Sequence, residues 1–70
     1  EVKGQTVPVE VLDISAEGAR IDVVLDYDLG TPVVLRMEGI AARGSIVWSS
    51  VSGTGIAFDA ALAVLPKATL

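Results

Sequence analysis

The stretch Asp13-Ile14-Ser15-Ala16-Glu17-Gly18 holds the residue types and spacing best suited to chemistry in this chain. It has the form Asp-x-Ser-x-x-Gly and joins two runs that read as β-strands. A carboxylate accepts hydrogen bonds, and a hydroxyl both donates and accepts. Glycine permits positive φ and lets a ligand approach the main chain closely. A turn built from these three can present all of them on one small surface. Asp, Ser and Gly are also the commonest residues of self-bonded turns, so the spacing alone names no ligand. Trp48, the single Trp, is the second candidate. Its strand neighbours are apolar, which fits a core or barrel-end anchor. Near a barrel mouth the same ring can stack on a planar base.

Other chemistries lack their parts. The chain has no His and no Cys, which removes the commonest general base, the commonest neutral metal ligand, thiolate sites and disulfides. Ser15, Ser45, Ser49, Ser50 and Ser52 therefore have no His to activate them, and there is no Gly-x-Ser-x-Gly elbow. The carboxylate pairs Asp26/Asp28 and Glu17/Asp22 have no neighbours that would bury them, and Asp26 and Asp28 sit in a polar turn. Asp26-x-Asp28 lacks the further ligands of a calcium loop, and no phosphate-binding Gly-x-x-x-x-Gly-Lys loop is present. Neither catalysis nor a metal site is expected.

The charge balance narrows the partners. Five cations (Lys3, Arg20, Arg36, Arg43, Lys67) are scattered among nine carboxylates, for a net charge of −4. Nucleic-acid binding draws on clustered Lys and Arg, so DNA, RNA and anionic membrane surfaces are disfavoured. The apolar runs are far shorter than the roughly 20 residues of a membrane helix, and no secretion signal is visible. A cytoplasmic location is expected. The chain opens on Glu1 rather than Met and is expected to belong to a longer protein.

The elements that must position these residues are strands. The 70 residues suit one small domain spanning 1–70, with 51% apolar content to fill its core. Period-2 alternation dominates. Val7, Val9 and Val11 share one strand face. Ala19, Ile21, Val23 and Leu25 alternate with Arg20, Asp22 and Asp26. Val33, Leu35 and Met37 alternate with Arg36 and Glu38, and Gly44, Ile46 and Trp48 share a face of the next strand. Gly55-Ile56-Ala57-Phe58 reads as the last strand. Turns are expected at Val2–Thr6, Tyr27–Gly30, near Gly39 and at Ser49–Gly53, where turn geometry accounts for Gly53 and Gly55. Short, closely spaced strands of this kind predict an antiparallel barrel or sandwich. Closure favours a barrel, because a Val-rich sheet edge invites aggregation. The hairpin at Val2–Thr6 implies an incoming sixth strand, mostly lying before residue 1. Asp59 is placed to cap a short helical segment over Ala60–Leu65, ended by Pro66.

The order of four elements resembles a PilZ domain. They are Asp13-Ile14-Ser15-x-x-Gly18-Ala19-Arg20-Ile21, Leu29-Gly30-Thr31, Gly44-x-Ile46-Val47-Trp48 and Gly55-Ile56-Ala57-Phe58, which together cover about residues 6–60. The resemblance implies a six-stranded antiparallel β-barrel with a C-terminal helix. It also implies binding of the bacterial second messenger cyclic di-GMP, with no further cofactor. On that analogy Asp13 accepts hydrogen bonds from a guanine edge, Ser15 bonds guanine or phosphate, and Gly18 lets backbone and ligand meet. Trp48 is a stacking neighbour by the same analogy. A regulatory module of this kind would act on a neighbouring domain or protein partner. The family's second motif, Arg-x-x-x-Arg, is absent from the sequence. Arg20 alternates with Ile21, points outward and is not expected to replace it. Without those arginines this chain is expected to bind the nucleotide weakly or not at all. The alternative is a degenerate PilZ-like barrel that serves as a protein-interaction or structural module.

Overall fold

The computed structural model describes residues 1–62. Five strands form one antiparallel sheet: β1 (Val11–Ile14), β2 (Gly18–Ile21), β3 (Pro32–Met37), β4 (Ile40–Ser50) and β5 (Gly53–Phe58). Their spatial order is β1-β2-β5-β4-β3, and the sheet curves into an open half-barrel. Hairpins join three of the four neighbouring pairs. Between β3 and β4, Glu38 and Gly39 both take positive φ (31° and 80°), the backbone that a two-residue hairpin turn demands. The expected turn at Tyr27–Gly30 is present, with Gly30 at φ 87° and the Thr31 amide and hydroxyl both donating to the Asp28 carbonyl (3.1 and 2.6 Å).

Alternation places the core as the sequence predicts. Ala19, Ile21, Val33, Leu35, Ile46 and Ile56 face the concave side and are buried, Ile46 completely. Leu25 joins them from the β2–β3 connection, and Val7, Val9 and Val11 pack partly against the same cluster. Full burial of each Ile or Leu contributes about 1.5–3 kcal/mol. That connection is fastened by Thr54, which is fully buried in β5. The Thr54 hydroxyl accepts from the Leu25 amide (3.0 Å) and donates to the Val23 carbonyl (2.8 Å). A single side chain thus satisfies two backbone groups that no strand partner reaches.

Three expectations are corrected. Val7–Glu10 alternate in burial but form no strand: Pro8 has no N–H to give a ladder, and the Glu10 amide donates to a side chain, Asp22 Oδ1 (2.8 Å), rather than to a strand carbonyl. Glu1 and Val2 lie against β3. Val2 bridges Val33, and the Val34 amide donates to the Glu1 carbonyl (2.9 Å). The hairpin turn after them is present, with Lys3 and Gly4 at φ 51° and 76°. Of the helical segment expected over Ala60–Leu65, residues 60–62 are not helical, and the remainder lies outside the described residues. Finally, Trp48 does not share the inner face of Ile46. A bulge shifts the register, so that Ile46 pairs Ile56 while Trp48 pairs Gly55. Two residues of β4 then oppose one of β5, and both Val47 and Trp48 are exposed (46% and 40%).

Candidate functional site

The convex face of the sheet carries a row of four residues, one from each of four adjacent strands. Asp13 pairs Arg20, Arg20 pairs Gly55, and Gly55 pairs Trp48. Two bulges create this row. One lies in β1 between Val11 and Asp13, the other in β4 between Ile46 and Trp48. Each turns a residue that strict alternation would send elsewhere onto the outer face. The row floors a shallow depression of about 410 Å³, which Ser15 and Gly18 also line. All four residues named from the sequence (Asp13, Ser15, Gly18 and Trp48) therefore meet in one place, and Arg20 and Gly55 join them.

The electrostatics centre on one ion pair. Arg20 Nη2 lies 2.8 Å from Asp13 Oδ2, with the two side chains 40% and 72% exposed. Pairs this exposed contribute at most about 1 kcal/mol to stability. Arg20 Nε is fully buried and has no hydrogen-bond partner. Ser15 serves its own turn. Its amide donates to the Gly18 carbonyl (2.8 Å), and its hydroxyl accepts from the Glu17 amide at 3.3 Å. The self-bonded turn is real, and the hydroxyl keeps a second lone pair for a visitor.

The two glycines of the depression have steric duties. Gly18 is not at positive φ. Its missing Cβ makes room for the Ile56 carbonyl, so the β1–β2 turn can lie close against β5. The direction a Cβ would take is filled by β5, while the Gly18 backbone still lines the depression. Gly55 sits within β5, and turn geometry does not explain it. A Cβ there would overlap Trp48 at Nε1, Cε2 and Cδ1, so the indole lies flat over the Gly55 backbone, leaning from β4 toward β2. The ring forms a wall of the depression with one face against the sheet.

A second concavity, about 310 Å³, opens on the inner side, with Val7, Val9, Ile21, Leu25, Leu35 and Ile56 among its lining. It is the uncovered end of the core, and its apolar walls offer few polar groups to orient a ligand. Among the described residues no three His, Cys, Asp or Glu side chains converge on a metal position, and no helix is long and apolar enough to cross a membrane.

A family model of the PilZ domain matches residues 1–67. The chain belongs to the PilZ domain family. No curated protein and no solved structure matches it. In this PilZ domain the Asp-x-Ser-x-x-Gly turn and the Gly-x-Ile-Val-Trp strand, far apart in sequence, form opposite sides of one depression. Arg20 escaped the sequence reading for an identifiable reason. Its outward direction was legible from alternation with Ile21, but the outer face is the face that carries the PilZ turn. Gly55 also had a signal: a glycine inside a strand marks either a bulge or a close approach. Both occur beside it.

Proposed function

We propose that this PilZ domain is a regulatory binding module for cyclic di-GMP. PilZ domains are generally binding modules for that nucleotide rather than enzymes. The observation that carries the reading is the convergence of Asp13, Ser15, Arg20 and Trp48 around one outward depression. Asp13 presents a carboxylate that can accept from the N1–H and N2–H edge of guanine. Ser15 can accept from a base N–H with its spare lone pair, or turn its O–H from the Gly18 carbonyl (3.5 Å) to donate to a phosphate oxygen. Trp48, fixed against Gly55, gives the base a flat apolar surface for stacking. Gly18 shapes the turn, and its backbone, which lines the depression, lets the ligand come close to the main chain.

Charge sets the demand on the rest of the protein. Cyclic di-GMP carries two phosphate charges, and Asp13 and Glu17 add repulsion beside it. Arginine forks are the usual answer to phosphate. The Arg-x-x-x-Arg motif is absent from this sequence, so on this reading the phosphate-binding arginines would have to come from outside residues 1–70. Docking of the segment that carries them on ligand binding is the regulatory step. The test is a calorimetric titration of cyclic di-GMP into this chain and into the chain extended by an Arg-x-x-x-Arg segment at its N-terminus. Binding by the extended chain, with weak or no binding by the shorter one, supports the reading. Binding by neither favours the second reading, a PilZ-like module that docks a protein partner. The exposed Val47 and Trp48 beside the depression give that reading its footing.

A further inference from the structure

Among the described residues Arg20 is the single cation that lines the depression. We propose that Arg20 is a ligand contact in its own right, giving up Asp13 to the guanine and moving its guanidinium to a ligand phosphate. This rests on the cyclic di-GMP reading above. The argument begins with geometry. The edge of guanine that carries N1–H and N2–H is a fork of two nearly parallel donors. The guanidinium edge of arginine is the same kind of fork. Arg20 Nη2 already holds Asp13 Oδ2 at 2.8 Å, occupying one of the carboxylate oxygens a guanine edge would take. A base that takes the Asp13 carboxylate must displace that nitrogen.

The displaced side chain has a reason to move and a place to go. In the ligand-free chain Arg20 Nε–H is buried without an acceptor, an arrangement proteins avoid. Turning outward exposes that N–H and pairs it with an anionic oxygen. Arg20 and Trp48 stand on the two strands that flank Gly55 of β5. A base stacked on the indole therefore lies beside Arg20, and its attached phosphate comes within the side chain's reach. The exchange leaves each charge partnered: the carboxylate keeps a donor fork, and the guanidinium gains a phosphate.

The test is a double-substitution cycle in the chain carrying the N-terminal Arg-x-x-x-Arg extension, titrated with cyclic di-GMP and read by Trp48 fluorescence and calorimetry. Arg20→Ala is expected to weaken binding about tenfold, the loss typical of one charged hydrogen bond. At least the same loss is expected when Arg20→Ala is made beside Asp13→Asn, where no Arg20–carboxylate pair has to be broken on binding. A residue that merely holds Asp13 in place would cost affinity only while Asp13 is a carboxylate, so a loss that disappears in the Asp13→Asn background would overturn the proposal. Unchanged affinity in Arg20→Ala would overturn it as well. An independent readout is the Arg20 Nε–H resonance, which is expected to shift on adding cyclic di-GMP; a stationary signal at saturation would overturn the exchange. Failure of the unsubstituted extended chain to bind would instead bring down the cyclic di-GMP reading, and this proposal with it.

Discussion

Substituting Gly55→Ala tests the seat of Trp48, the feature on which the outer depression depends. The three atoms nearest the added methyl would all belong to the indole: Nε1, Cε2 and Cδ1. A side chain can turn away where a backbone cannot, so the ring yields and β5 keeps its pairing. Trp48 is 40% exposed, leaving about 60% of its surface covered. With roughly 250 Å² available on a Trp, about 150 Å² is covered, an upper estimate of about 4 kcal/mol at about 25 cal/mol per Å². Turning off Gly55 forfeits one face and retains contact with β4. A loss of about a third, roughly 1–1.5 kcal/mol, follows. For a domain of this size that lowers Tm by about 5–10 °C. Trp48 is the only Trp, so its emission reports its own seat without interference. Thermal melting and an emission spectrum suffice as the assay, with a red shift expected as the ring enters water. A Tm within about 2 °C of the parent together with an unmoved emission maximum would refute the seating of the indole on Gly55.

Three further substitutions separate the scaffold from the site. Gly18→Ala directs its methyl at the Ile56 carbonyl, a backbone atom that cannot rotate away, and is expected to cost about 2 kcal/mol or more by denaturant unfolding; parent-like stability would mean the β1–β2 turn does not press on β5. Thr54→Val keeps the shape but leaves the Leu25 amide and Val23 carbonyl without their partner, and a loss of about 1–3 kcal/mol in the same measurement is expected. Asp13→Ala and Ser15→Ala remove exposed groups and should shift Tm by no more than a few degrees, about 1 kcal/mol. In the arginine-extended chain each is expected to weaken cyclic di-GMP binding about tenfold. Full affinity in both variants would move the site off this turn.

The core was legible because its signal is redundant. Ala19, Ile21, Val33, Leu35, Ile46 and Ile56 each follow from period-2 alternation, and each is buried. The turns at Gly30 and Gly39 followed from residue chemistry, since both adopt positive φ. Trp48 failed for a definite reason. Alternation counts residues, and a bulge adds one, so every inference downstream of Val47 in β4 flips sides. The strand expected over Val7, Val9 and Val11 failed differently. Val7 and Val9 do turn toward the core, but alternation in burial does not require a hydrogen-bonded neighbour. Asp13, Ser15 and Gly18 were recognisable as a turn, yet the pairing of Asp13 with Arg20 depends on a second bulge that no local pattern announces.

The same two irregularities that defeat the alternation rule build the site. A regular sheet of these strands would bury Trp48 on the concave side. The bulge at Val47 instead moves a large aromatic ring into solvent contact, which a chain selected for stability alone has no reason to do. Gly55 then removes the one Cβ that would stand in the ring's way, at the entropic cost of a glycine inside a strand. Arg20 keeps a buried Nε–H without an acceptor two strands away. Each of these three features opposes the fold's own preferences, and all three occur in one cross-strand row. Local violations that stability does not explain gather where a surface serves something other than the fold. The concave face shows none of them: its side chains obey the pattern and close on one another. These departures set the outer row, rather than the apolar opening at the end of the core, apart as the candidate ligand surface of this PilZ domain.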